Sequence, residues 1–253
     1  MRKIISNKVI VIVGASQGIG REIAIQLSKN NNHFYLISRN EEKLVQLKSE
    51  IEMNKSRANY FLSDATQMEL SNEIANQIIK SHPQIDYLFL VAGGSPPTRI
   101  AKSSAERINK IMATNFQTMV NYFMPFMHKM KENKHGHIIH INSLAAFAIF
   151  PDLGPYAASK AAAKVFLDTA RAELDKSNVF ITSIHPGFIQ TEGLGNQHPP
   201  YLPIMKVDVA VNRMIRAVES RKRKLIFPIY LYLLVRITHF IPYAIMRFLY
   251  KRL

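Results

Sequence analysis

Short runs of β-branched and aliphatic residues recur along the chain, separated by stretches in which apolar positions return every three or four residues. The first run, 8–13, is apolar from Val9 to Val13 without alternation, which marks a strand buried on both faces. Helical spacing follows over 19–29, then a strand over 33–38, a charged helix over 41–54, a strand over 58–63 and a helix over 69–81. Further on, the pattern predicts strands over 86–91, 137–142, 179–184 and 224–227. It predicts helices over 105–131, from 156 to about 176, and over 208–220. Strands spaced by helices imply βαβ units, right-handed crossovers and a parallel sheet. The expected architecture is α/β: a doubly wound, mostly parallel seven-stranded sheet with helices on both faces over 1–228. An apolar, basic helical extension over 229–253 is not an independent domain.

Composition narrows this picture. A length of 253 residues fits one large α/β domain or two small ones, and an apolar fraction of 47% is ample for a core. Neither an internal repeat nor a low-complexity linker divides the chain, so one domain is expected. Cysteine is absent, which excludes a disulfide framework and a thiolate metal site and suits a reducing, cytoplasmic setting. The first eight residues lack the shape of a signal peptide, because the apolar run after them leads directly into a glycine-rich turn. The net charge of +15 points to acidic partners, either membrane phosphates or nucleic acid. No nucleic-acid motif accompanies the charge, so nucleic acid is set aside. No metal site is expected.

The candidate chemistry lies between 137 and 160. The strand over 137–142 ends at Asn142-Ser143, at the edge of an α/β sheet where ligands bind. Pro155 is suited to opening a helix, and Tyr156 and Lys160 then stand four apart on one face. A free tyrosine has a pKa of about 10. A cation one turn away favours the phenolate and brings the group toward the range useful for general acid–base catalysis. The plain alternative is a pair of helix neighbours with no chemistry. Upstream, the first strand ends in Gly14-Ala15-Ser16-Gln17-Gly18-Ile19-Gly20 and enters a helix. Glycines there let backbone N–H groups approach a pyrophosphate at a helix N-terminus. The spacing is Gly-x-x-x-Gly-x-Gly rather than Gly-x-Gly-x-x-Gly, but its place after the first strand of a βαβαβ pattern supports a nucleotide.

These motifs together resemble the short-chain dehydrogenase/reductase family over about 7–227. The glycine motif maps onto Gly14, Gly18 and Gly20, and the segment after the fourth strand onto Leu90-Val91-Ala92-Gly93. Asn115, Ser143, Tyr156 with Lys160, and Pro186-Gly187 followed by Thr191 complete the order. The resemblance implies a Rossmann fold and hydride transfer between a nicotinamide cofactor and a carbonyl/alcohol pair. Tyr156 would be the acid in reduction and the base in oxidation. Lys160 would hold the nicotinamide ribose and depress Tyr156, Ser143 would position the carbonyl oxygen, and Asn115 would help retain a relay water. The cofactor would contact Gly14, Ser16, Gln17, Gly18, Ile19, Gly20, Ser38, Arg39, Asp64, Ala65, Ala92 and Gly93. It would also contact Tyr156, Lys160, Pro186, Gly187, Ile189 and Thr191. Three positions depart from the family pattern. Val13 stands in place of a threonine. Val91 replaces an asparagine, which predicts a looser link from the fourth strand to its neighbours. Asn142 stands where a second serine is common.

Charge bears on the cofactor. NAD-preferring enzymes carry a carboxylate about 20 residues past the glycines, whereas this chain has Ser38-Arg39 there. A guanidinium pairs with a 2′-phosphate, so NADP(H) is expected over NAD(H). Asp64 resembles the family's adenine-contacting acid, with a helix N-cap as the plain alternative.

The C-terminal region is more apolar than a soluble enzyme requires. Residues 225–235 carry no charge, yet a membrane span needs about 20 such residues. Two short helices broken at Pro242 are expected. In the second, Arg247 and Lys251 share a face with Arg252 beside them, while Ile245, Met246, Phe248 and Leu249 face elsewhere, the pattern of an interfacial helix. The cluster Arg221-Lys222-Arg223-Lys224 would touch anionic headgroups. The alternative is a tail covering its own pocket or an oligomer interface. The tail is similar to those of membrane-associated lipid-reducing relatives such as the 3-ketosphinganine reductases. The lid expected between Thr191 and Asp208 is apolar and proline-stiffened, with Leu194, Pro199, Pro200, Tyr201, Leu202, Pro203, Ile204 and Met205. A hydrophobic or long-chain lipid ketone is therefore the expected substrate, on the cytoplasmic face of a membrane, for a homodimer or homotetramer. The competing readings are a 3-oxoacyl-carrier or broad carbonyl reductase, and a catalytically idle nucleotide-binding scaffold.

Overall fold

The structure is a computed structural model that describes residues 4–94, 96–149, 152–194, 202–237 and 240. The first half alternates β1 (Val9–Val13), α1 (Gly18–Leu27), β2 (His33–Ser38), α2 (Glu41–Met53), β3 (Arg57–Leu62) and α3 (Met68–Ser81). The second half runs β4 (Tyr87–Leu90), α4 (Ala105–Met112), α5 (Thr118–Glu132), β5 (Gly136–Ile141), α6 (Gly154–Glu173) and β6 (Val179–Pro186). It ends with β7 (Ile189–Gln190), β8 (Met205–Lys206), α7 (Val207–Glu219), β9 (Lys224–Phe227) and α8 (Ile229–Ile237).

Seven strands form one sheet in the order β3-β2-β1-β4-β5-β6-β9, and every pairing in it is parallel. This is the expected Rossmann-type α/β architecture. Alternation along each strand sends successive side chains to opposite faces. Ile10, Ile12, Leu36, Phe89, Ile139 and Ile184 pack with Ile23, Leu44 and Val211 of α1, α2 and α7. Val11, Val13, Leu88, Leu90, Ile138 and Ile181 pack with Ile78, Phe123 and Leu167 of α3, α5 and α6. Both faces are covered, which is why an inner strand such as β1 reads as a continuous apolar run. The strand order reverses between β1 and β4, and the crevice outside their carboxyl ends is where such sheets bind ligands.

Two features differ from the sequence pattern. The helix expected over 105–131 is interrupted by a π turn at Ala113–Gln117, between α4 and α5. A short parallel pair, β7 with β8, joins the ends of the segment expected as a lid; residues 195–201 of that segment, including Pro199, Pro200 and Tyr201, lie outside the described residues. The first tail helix is present as α8, whereas Pro242, Arg247, Lys251 and Arg252 lie outside the described residues. Among the described residues no helix is long and apolar enough to cross a membrane.

Candidate active site

Beyond β5 the chain turns at Asn142 and Ser143 into a 3-10 turn over Leu144–Phe147. Ser143 Oγ accepts the Ala145 N–H at 3.1 Å, which fixes the entry to that turn. Asn142 braces the same corner: its Oδ1 accepts the Ser143 N–H at 2.9 Å and its Nδ2 donates to the Lys160 carbonyl at 3.1 Å. The asparagine that departs from the family pattern thus ties the strand end to α6. Pro155 lies in the first turn of α6, where its missing N–H leaves no helix bond unmade. Tyr156 is half-buried, and its phenol faces the Ser143 side chain closely enough for the serine to lower its pKa in part. One turn on, Lys160 is 3% exposed. Its Nζ lies 5.7 Å from the Tyr156 ring centroid and donates to the Ile141 carbonyl at 3.2 Å. Phenol, hydroxyl and ammonium converge.

The electrostatics correct one expectation. Burial pushes the Tyr156 pKa up, and the Ser143 side chain only partly offsets it. The lowering predicted from a cation one turn away is therefore reversed in the protein on its own, because withdrawing the phenol from water disfavours its anion. Lys160 carries the cost of the same burial, which brings it from 10.5 down to about 8. It remains charged at neutral pH.

Asn115 sits in the π turn, nearly fully buried. Such turns within helices recur at functional sites. Its Nδ2 donates to the carbonyls of Gly94 and Ile111 at 2.9 and 3.0 Å, and its Oδ1 accepts the Gly94 N–H at 3.0 Å. A β-carbon on Gly93 would lie 2.8 Å from Asn115 Oδ1 and 3.4 Å from Lys160 Nζ. Asn115 thus pins the Gly93-Gly94 segment beside the lysine, a role that sequence spacing did not disclose.

The glycine turn adjoins this cluster. Gly14 has φ +91°, and a β-carbon there would meet the Ala92 nitrogen at 2.6 Å; Gly18 has φ +54° and faces the Thr191 side chain. The N-terminus of α1 carries no side-chain cap and no acidic residue in its first turn. Bare N–H groups at a positive helix end, with backbone packed too closely for side chains, fit a pyrophosphate. Ile19 is half-buried and Ala65 is buried, with the Ala65 carbonyl held by Asn121 Nδ2 at 3.0 Å. Ser16 and Ser38 share a hydroxyl–hydroxyl hydrogen bond of 2.7 Å that joins the glycine turn to the end of β2. The backbone at Val91 is tied to the first strand: Val91 and Ala92 both donate their N–H groups to the Val13 carbonyl at 2.9 Å.

Arg39 is exposed beyond β2. Asp64 accepts from the backbone and hydroxyl of Thr66 at 3.1 and 2.8 Å, while α3 begins only at Met68. The N-cap alternative for Asp64 therefore fails. Its carboxyl is held below the ordinary value by Thr66 first, with Arg39 and Lys110 adding to the effect. On the other side, Gly187 donates its N–H to the Phe227 carbonyl at 2.8 Å, Pro186 ends β6, and Ile189 is buried in β7.

Beside Ser143, Leu144 and Phe147 pack with Leu231 and Val235 of α8, and Phe188, Leu202 and Tyr232 close around them. One wall of the site is apolar. The outer side of α8 exposes Ile229, Tyr230, Leu233, Leu234 and Ile237. The basic cluster expected to adjoin this helix is largely engaged elsewhere. Arg221 lies 4.0 Å over the Phe180 ring, Arg223 pairs with Asp175, and Lys224 pairs with Asp168 of α6 at 2.7 Å. Residues that the sequence did not single out include Lys43, whose ammonium pairs with Glu192, and His185, buried with Nδ1 3.4 Å from the Ser143 carbonyl. No motif marks either.

Residues 8–201 match the short chain dehydrogenase family. A fatty acyl-CoA reductase of Acinetobacter baylyi is 30% identical over 88% of this chain and 77% of its own length. The human epidermal retinol dehydrogenase 2 is 27% identical over 95% of this chain and 80% of its own. An alcohol dehydrogenase from the archaeon Thermococcus sibiricus, solved in complex with 5-hydroxy-NADP, superposes with a TM-score of 0.77 at 22% identity. That superposition covers 87% of this chain and 95% of the other. With the family's sequence pattern over most of its length and its fold in the seven-stranded sheet, the chain belongs to the short-chain dehydrogenases/reductases and is an oxidoreductase of the kind that uses a nicotinamide cofactor.

Proposed function

We propose that the enzyme transfers hydride between NADP(H) and the carbonyl/alcohol group of a hydrophobic, long-chain substrate. The observation that carries this is the convergence of the Ser143 side chain on the Tyr156 phenol, with the buried Lys160 ammonium 5.7 Å from the ring centroid. When bound, the cofactor supplies the hydride. Tyr156 gives a proton to the substrate oxygen in reduction and takes one in oxidation. Ser143 orients that oxygen, Lys160 holds a positive charge beside the phenol, and Asn115 keeps Gly93-Gly94 in place. The raised pKa keeps the phenol protonated at neutral pH, the form from which reduction starts, while making it a weaker acid. The exposed Arg39 at the end of β2, with no carboxylate before Glu41, supports a 2′-phosphate.

Two observations support an apolar substrate: the wall of Leu144, Phe147, Leu231 and Val235 beside Ser143, and the outward apolar side of α8. That outward side supports a peripheral seat on a membrane surface. Two relatives are named for fatty acyl-CoA and retinol, each of which carries a long hydrocarbon chain. The test is steady-state kinetics with carbonyl substrates of rising chain length, using NADPH and NADH in parallel. Rising kcat/KM with chain length and a preference for NADPH are the expected results. Equal turnover of short polar ketones rejects the substrate class, and retained turnover in Tyr156→Phe rejects the mechanism.

A further inference from the structure

An ion pair reaches across the glycine turn from one half of the sheet to the other. Lys43 stands in the first turn of α2, where the Asn40 side chain accepts its backbone N–H at 2.9 Å. Its ammonium pairs with the Glu192 carboxylate and lies 3.4 Å from Gln17 Oε1. Glu192 follows Thr191, whose side chain faces Gly18, and a β-carbon on Gly193 would lie 3.9 Å from Gln17 Nε2. Residues 191–193 are therefore seated on the glycine turn and tied to α2 by a pair whose members are 149 positions apart.

This tie is a weak one. The two side chains are 37% and 63% exposed, and exposed ion pairs of this kind contribute little in water. A phosphate dianion offers an ammonium more charge than one carboxylate does. The start of α2 also adjoins Ser38 and the exposed Arg39, the residues placed to receive a ribose 2′-phosphate.

We propose that Lys43 is a specificity-determining residue that leaves Glu192 for the 2′-phosphate of NADP(H), freeing Glu192 and Gly193 from α2 as it does so. The proposal rests on the NADP(H) reading above. NAD(H) has no 2′-phosphate and leaves the pair closed.

Three proteins, the wild type, Lys43→Met and Glu192→Gln, test it by equilibrium titration with NADPH and with NADH. The cofactor's own emission is the signal, in a chain that contains no tryptophan. Lys43→Met is expected to weaken NADPH about fivefold and leave NADH within about twofold, the size of one exposed charge contact. Glu192→Gln removes the competitor, so it is expected to tighten NADPH by about two- to threefold without moving NADH. A purely structural ion pair predicts the opposite, with both variants weakening both cofactors together, and that result overturns the proposal. If the wild type prefers NADPH while neither variant changes the ratio, the exchange is wrong and the cofactor reading stands. If the wild type shows no preference for NADPH, both fall.

Discussion

Lys160 Nζ donates a 3.2 Å hydrogen bond to the carbonyl of Ile141, two residues before Ser143. The ammonium is thereby anchored to the strand that presents the serine, at a cost visible in its pKa of about 8 against 10.5. At neutral pH the lysine is charged both folded and unfolded, so the whole penalty of burying the charge is present. Between about 8 and 10.5 the folded protein releases that proton while the unfolded chain keeps it, and stability rises with pH. Lys160→Met is accordingly expected to be more stable than wild type at pH 7, by up to about 3 kcal/mol from the size of the shift. Denaturant titrations at pH 7 and 10 should show the gap narrowing, with turnover lost throughout.

Tyr156→Phe is expected to lower kcat by about 10²- to 10⁴-fold, the usual contribution of a positioned acid or base, while retaining cofactor binding in a direct titration. Ser143→Ala removes the one side chain that pulls the phenol's pKa down. The pH–rate profile for alcohol oxidation should then shift to higher pH, since a more basic phenol deprotonates later. A profile that falls in amplitude without moving would show that Ser143 acts on the substrate alone.

Gly14→Ala tests the packing at the carboxyl ends of β1 and β4. Its β-carbon would lie 2.6 Å from the Ala92 nitrogen, at φ +91°. Neither the backbone angle nor the backbone neighbour can yield cheaply, so a loss of at least about 2 kcal/mol is expected. Cofactor affinity should fall with it, as read by thermal melting and cofactor titration together.

Asp168 holds α6 to the last strand, accepting from Arg171 at 2.6 Å and from Lys224 at 2.7 Å. Partial burial raises its pKa, but the hydrogen bonds from Lys224 and Arg171 outweigh that and lower it from 3.8 to about 2. A depressed carboxyl contributes stability above its unfolded pKa and loses it as pH falls toward the folded one. Asp168→Asn should cost up to about 1 kcal/mol at pH 7, the shift being discounted for solvent screening. The difference from wild type should close between pH 4 and 2, which urea melts across that range would follow.

Replacing Leu233 and Leu234 on the outer side of α8 with serine should reduce co-flotation with anionic phospholipid vesicles, leaving turnover of a soluble substrate unchanged. Equal flotation of variant and wild type would remove α8 as the seat on a membrane.

Much of this organisation is legible in the sequence because it is local or periodic. β1 announces itself as an unbroken apolar run because both faces of the sheet are covered. Tyr156 and Lys160 lie on one helix, so their spacing alone places them together. What stays hidden depends on distant partners. The rise in the Tyr156 pKa comes from surroundings assembled by the fold. The cluster at 221–224 stays exposed, and its partners Asp168, Asp175 and Phe180 come from elsewhere in the chain. Glu192 stands 149 positions from Lys43, and Asn142, read only as a missing serine, braces both Ser143 and α6.

The wide turn at Ala113–Gln117 leaves this chain little tolerance for changes of length there. A regular helix advances about 100° per residue, so closing that turn by deleting one position would swing everything downstream by more than a quarter revolution. Tyr122, Phe123 and Phe126, all buried against the sheet in α5, would then face outward if Asn115 kept its hold on Gly94. Keeping those aromatics inside would instead drag Asn115 away. Only the irregular turn satisfies both, so single-residue insertions and deletions accepted in the surface connections should be fatal between 113 and 117.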